Sequence, residues 1–207
     1  MIKLYCFPRS GNSREVKIVL AEKGIPYDPI DIHADKSVLE SPDFLKASPK
    51  KTVPAIIDGE LAMSEAYRIN EYVEDKYSQN PLLPNDEASR AKIRSWVAGA
   101  DKRLCLKVGL LLIECLLKPK EQQKEETKVR LRSEIFSALK EVNDFLGPKE
   151  YFFENYSLAD VSLTPHLAAL PRVGIELGED VPNIKRWFER VKARPSFSAS
   201  AEWKVPV

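Results

Sequence analysis

The sequence predicts a two-part chain, an α/β N-terminal module ordered β-α-β then β-β-α, followed by an all-α helical bundle. Three observations predict it. Short apolar runs alternate with helical stretches up to about residue 78. The segment "SQNPLLPND", rich in Pro and Asn, then breaks the pattern. Everything beyond it carries a helical period. The boundaries read as 1–78 for the first domain, 79–85 for a linker and 86–207 for the helical domain.

Each element has its own signal. "IKLYCF" reads as a short buried strand, and Arg14 to Lys23 as an amphipathic helix. Val16, Val19 and Leu20 share one face of that helix, with Arg14, Glu15 and Lys17 turned away. Gly24 supplies a left-handed stop. "IPYDPIDIHA" predicts a second strand whose Pro29 places it at a sheet edge, and a polar stretch runs to about Lys51. In "TVPAIIDGELAM" two apolar runs flank Asp58-Gly59, which predicts a hairpin with a type I′ turn. From Ser64 to Lys76, Ile69, Tyr72 and Val73 recur at helical spacing.

In the second domain, residues 86 to about 117 predict one long helix and 121–146 another, ended by Gly147-Pro148. "SLADVSL" places Asp160 three residues after Ser157, a variant of the capping box. "PNIKRWFERVKARPSF" aligns Ile184, Trp187, Phe188 and Val191 on one stripe.

Composition narrows the chemistry. Lys plus Arg total 32 against 31 Asp plus Glu, a balance that gives no footprint for nucleic acid or an anionic membrane. Three scattered cysteines, Cys6, Cys105 and Cys115, form no C-x-x-C and have no histidines at metal spacing, so a reducing cytoplasmic setting and no metal are expected. The longest apolar run, "LCLKVGLLLIECLL", has 14 residues and carries Lys107 and Glu114, which suits a core helix and not a membrane span. His166 reads as a satisfied core group and Cys6 as a small buried hydrophobe. The turn "SGNS" stands where a strand meets a helix N-terminus, whose free N–H groups and partial positive charge favour an anion. Taken alone, Ser13 there reads as an N-cap.

The layout and four motifs together resemble the cytosolic glutathione transferases. "TVPAI" is similar to the family's element before the third strand, "SEAYRINEYVEDKY" to the opening of its third helix, "SLADVSLTPHL" to its buried capped helix, and "PNIKRWFERVKARPSF" to its late helix. The resemblance covers nearly the whole chain and implies a thioredoxin-like N-terminal domain. In such folds the strand-to-helix turn holds a redox C-x-x-C, and here Ser10 and Ser13 occupy those positions. A hydroxyl forms no disulfide, but it donates a hydrogen bond to a thiolate, the attacking form of a thiol. Lowering a thiol pKa of about 8.5 by two units corresponds to about 2.7 kcal/mol, which a charge-assisted hydrogen bond and a helix N-terminus supply together.

The resemblance therefore makes Ser10 the leading catalytic residue, with Asn12 and Ser13 as alternatives. It implies glutathione as co-substrate, held by Thr52, Val53, a cis Pro54, Glu65 and Ala66. Val53 would pair its main chain with the cysteinyl unit, and Glu65 would meet the γ-glutamyl amino group. Two positions depart from the family pattern. Ala66 replaces a serine that holds the γ-glutamyl carboxylate, a loss of about 1.5 to 3 kcal/mol if uncompensated. Thr52 stands where many members place Lys or Gln. Lys50 and Lys51 are candidates for the missing charge. The family further implies a hydrophobic electrophile, a substrate pocket walled by the helix around residues 100–117, and a homodimer. Zeta-type isomerases carry Ser-Ser-Cys at the turn, which Gly11-Asn12 does not match, so conjugation is expected over isomerisation. "IVLAEKG", "YFFENYSLADVSLTPHLAALPRVGIEL" and "RPSFSAS" also resemble stringent starvation protein A, a transferase-like protein that binds RNA polymerase. That alternative is non-catalytic.

Overall fold

The computed structural model describes residues 1–201; the last six residues assigned to the helical domain, 202–207, lie outside the described residues. The chain forms two compact units, one of Met1–Leu82 with residues 194–201, the other of Leu83–Ala193. Residues 194–201, assigned from the sequence to the helical domain, thus pack with the first unit.

The first unit is a four-stranded mixed sheet in the order β2-β1-β3-β4, formed by β1 (Ile2–Cys6), β2 (Tyr27–Asp31), β3 (Ala55–Asp58) and β4 (Leu61–Ser64). β2 runs parallel to β1 and lies at an edge, where Pro29 leaves no central ladder bond unmade. β3 pairs antiparallel with β1 and with β4. Its hairpin pairs Asp58 with Leu61, so the loop is Gly59-Glu60 with positive φ at Gly59 and not at Glu60. That is the pattern of a type II′ turn, not the expected type I′: the strand continues through Asp58 and shifts the turn by one residue.

Four helices complete this unit: α1 (Gly11–Glu22), α2 (Pro42–Ala47), α3 (Ala66–Lys76) and α9 (Pro195–Ala201). α1 begins three residues earlier than its apolar period indicates, because the first turn needs no intrahelical N–H partners and tolerates Gly11 and Asn12. Glu15 and Lys17, expected to face solvent, are buried. Glu15 receives a 2.7 Å bond from Asn70 of α3, and α1 packs against α9 as well, so little of its circumference meets water. The expected polar stretch before Lys51 contains a 3₁₀ turn, Lys36–Glu40, and then α2. α2 is too short to show a period, yet Ser41 caps it, Pro42 opens it, and Phe44 and Ala47 enter a core with Tyr5, Ile32 and Ala55. Asp58 joins the hairpin to α3, its Oδ2 accepting from Tyr72 Oη (2.8 Å), Lys76 Nζ (2.6 Å) and Tyr77 Oη (3.0 Å).

The second unit is helical throughout. α4 (Glu87–Ala100) and α5 (Leu106–Leu112) belong to the predicted long helix, with π-helical segments at Asp101–Cys105 and Ile113–Leu117. α6 (Glu125–Leu146) follows a 3₁₀ turn at Lys120–Gln122, then come α7 (Leu158–Ala169) and α8 (Pro182–Lys192). The capping box at Ser157 forms. Asp160 is fully buried and gathers Phe152 N (3.2 Å), Ser157 N (3.0 Å) and Trp187 Nε1 (2.8 Å). Burial nevertheless pushes its carboxyl up to about 6. Leu106 and Leu110 on α5, with Ile113 and Leu117 on the π-helical segment that follows, leave an exposed apolar stripe. No helix among the described residues is long and apolar enough to cross a membrane.

Candidate functional site

The strand register collects the sequence-predicted residues at one end of the sheet. Tyr5 pairs with Ala55, and Ala55 pairs with Ser64. Neighbouring strands lie about 4.8 Å apart, so these three positions fall within about 10 Å across the sheet. The Ser10 turn leaves β1 at that end, the Val53–Pro54 peptide enters β3 there, and Glu65 leaves β4 there. Two helix N-termini, those of α1 and α3, start from the same end. Each contributes unpaired N–H groups and positive potential, an arrangement suited to an anionic, peptide-like ligand.

Ser10 is the N-cap of α1. Its backbone is extended, with φ −83° and ψ 117°, its N–H donates to Phe7 C=O (3.0 Å), and its Oγ accepts from Ser13 N–H (3.2 Å). Because that bond uses a lone pair, the hydroxyl proton is left to donate outward, and the side chain is half-buried. Ser13, read from the sequence as the cap, lies inside the helix; it is buried, and its Oγ accepts from Phe7 N–H at 3.4 Å. Asn12 is exposed on the first turn. The buried thiol of Cys6 is pushed up to about 11, chiefly by desolvation, which leaves it unreactive.

The Val53–Pro54 peptide is cis. Among the described residues, the N–H and C=O of Val53 enter none of the main-chain bonds of the loops and lie outside the strand ladder. Thr52 is exposed and tied to Ser48, a residue that sequence reasoning passed over. Lys51 is paired with Glu40. Glu65 holds φ +80°, a conformation disfavoured for a residue with a Cβ, and its carboxylate is exposed and makes no cap bond. Ala66 is the buried first residue of α3, where an N–H has no intrahelical partner. His166, in the second unit, is buried, but among the described residues its Nε2 has no hydrogen-bond partner, contrary to the expectation of a satisfied group. The sequence showed its apolar setting and not the missing donor.

Comparison with known proteins agrees with this architecture. Residues 4–81 match the glutathione S-transferase N-terminal domain and residues 107–195 the glutathione S-transferase C-terminal domain. The chain is 29% identical to glutathione S-transferase Z2 of Arabidopsis thaliana over 99% of its own length and 92% of that protein's. It is 32% identical to maleylacetoacetate isomerase of Pseudomonas aeruginosa, covering 95% of this chain and 93% of the relative. A stringent starvation protein A homolog of Haemophilus influenzae is 30% identical, with 93% and 86% covered. Among solved structures, a glutathione transferase of Burkholderia graminis with two glutathione molecules bound per subunit superposes with a TM-score of 0.85 at 26% identity, covering all of this chain and 89% of that one. The chain belongs to the cytosolic glutathione S-transferase superfamily.

Proposed function

We propose that this protein is a glutathione transferase in which Ser10 activates the thiol. The observation that carries the reading is the register of Tyr5, Ala55 and Ser64, which sets the Ser10 turn, the open main chain of Val53 and the α3 N-terminus side by side. Glutathione is read as lying along this end of the sheet. Val53 N–H and C=O pair with its cysteinyl unit as an added strand would, Glu65 meets the γ-glutamyl ammonium, and the Ala66 N–H meets the γ-glutamyl carboxylate. Thr52 and Pro54 shape the main chain on either side of Val53.

The sulfur then faces Ser10. Its hydroxyl donates to the thiolate while Ser13 N–H polarises it from behind, and the thiol proton leaves to solvent. Attack forms a carbon–sulfur bond and expels the leaving group, a halide for an aryl halide, with its bonding electrons. By family, the electrophile is read as a small hydrophobic molecule. By family, the protein is read as a cytoplasmic homodimer.

Turnover of an aryl halide with glutathione tests the assignment among the three turn residues. Ser10→Ala is expected to lose about ten-fold or more in kcat/KM at neutral pH, because it removes the hydroxyl's share of the two-unit thiol shift and leaves that of the helix N-terminus. Asn12→Ala is expected to lose less than about three-fold. A loss confined to Asn12→Ala or Ser13→Ala would move the role away from Ser10. A second reading, a non-catalytic protein similar to stringent starvation protein A, is favoured by Ala66 and by the 30% identical homolog. Absence of glutathione binding would select it.

A further inference from the structure

Ser48 lies at the C-terminal end of α2 and is completely buried. Its hydroxyl donates to Thr52 C=O at 2.8 Å and accepts from Thr52 N–H at 2.9 Å, and its own carbonyl accepts from Lys51 N–H at 2.9 Å. One serine therefore closes the loop Ser48–Thr52 with three bonds. Within that loop Lys51 sits at φ +54°, a conformation that costs a residue with a Cβ about 1 kcal/mol or more and persists where its surroundings over-determine it.

These bonds satisfy the part-buried peptide groups of Thr52, an exposed residue, and the fully buried hydroxyl of Ser48. The clamp also fixes the direction of the next peptide, Val53. From the other side, the Val53 side chain packs on the cluster of Tyr5, Phe44 and Ala55. A main chain with no hydrogen bonds of its own among the described residues is thus held between a buried hydroxyl and a hydrophobic core.

We propose that Ser48 is a positioning residue for ligand binding, holding the N–H and C=O of Val53 in the orientation that a bound peptide pairs with. The inference rests on the glutathione reading above and deepens it, since it assigns to α2 the preorganisation of the cysteinyl subsite. A loop ordered before binding loses less entropy when the ligand arrives, so the clamp acts on affinity and not on the chemical step.

The test compares wild-type protein with Ser48→Ala, the near-isosteric Ser48→Cys and, as a control for mere destabilisation, Asp58→Asn, which weakens the hairpin staple in the same unit. Glutathione binding is measured by calorimetry, turnover of an aryl halide at varied glutathione, and melting temperature for all four. Both Ser48 variants are expected to raise the Kd and KM for glutathione about ten-fold with kcat at saturation within about two-fold. Asp58→Asn is expected to lower the melting temperature and leave the Kd in place. Unchanged affinity in both Ser48 variants overturns the inference, as does an equal loss in Asp58→Asn. If wild-type protein binds no glutathione, the reading beneath it fails too. That outcome differs from wild-type binding that the Ser48 variants retain.

Discussion

Glu65 holds a backbone conformation that glycine would adopt freely, while its carboxylate reaches no partner that explains it as a cap. Strain of that kind costs on the order of 1–3 kcal/mol. Glu65→Gly should therefore raise the urea midpoint, by about 1 kcal/mol of stability, while weakening glutathione binding about ten-fold or more. A variant both less stable and undiminished in binding would contradict both halves. His166 and Asp160 predict a pH dependence with opposite signs. Burial pushes His166 down to about 4, so the stability it permits is present above about 6.5 and is lost as pH falls toward 4. Burial pushes Asp160 up to about 6, so its contribution is full below about 3.8 and is lost as pH rises through 6. Near pH 5 the two largely cancel. His166→Gln should remove the acid-side loss and gain about 2 kcal/mol at pH 5 relative to wild type beyond any difference at pH 7.5. Urea unfolding at both values checks this, and parallel profiles for the two proteins would refute it.

Elements with local signals were legible in the sequence, and those that depend on distant partners were not. β1, the β3–β4 hairpin, α3 and the capped α7 were legible because their signals are local: apolar runs, an Asp-Gly pair, a helical stripe, a Ser-x-x-Asp. The start of α1 was not, since Gly11 and Asn12 have poor helix propensity and Ser10 caps them through a bond to Ser13 N–H that only folding makes. Nor was the burial of Glu15, whose partner Asn70 lies 55 residues away. α9 is the clearest case. Its late position suggests the helical domain, but Arg14 reaches Ser200 Oγ (3.2 Å) and Phe197 C=O (3.1 Å) and stacks over the Phe197 ring. Glu22, at the far end of α1, binds Arg194 through two 2.7 Å bonds. α1 and α9 are thus joined at both ends. Arg14→Ala with Glu22→Ala should release α9, seen as chymotrypsin cleavage after Phe197, inside α9, at least ten-fold faster than in wild type. Unchanged cleavage would mean that apolar packing alone holds it.

For the whole molecule, matches to both transferase domains fix the family, while the proposed chemistry rests on a few residues at one end of one sheet. Of those, the sequence resemblance named Ser10, Val53, Glu65 and Ala66, and the register explains why they converge. Ser48 stayed hidden because its role depends on where its hydroxyl points. The most direct test of the account is the ionisation of the glutathione thiol when bound, followed by thiolate absorbance against pH in wild-type protein and Ser10→Ala. The account predicts a bound thiol that titrates about two units below its free value of roughly 8.5, and a return toward that value in Ser10→Ala. A bound thiol with the free value in wild type, or one that Ser10→Ala leaves depressed, would contradict it.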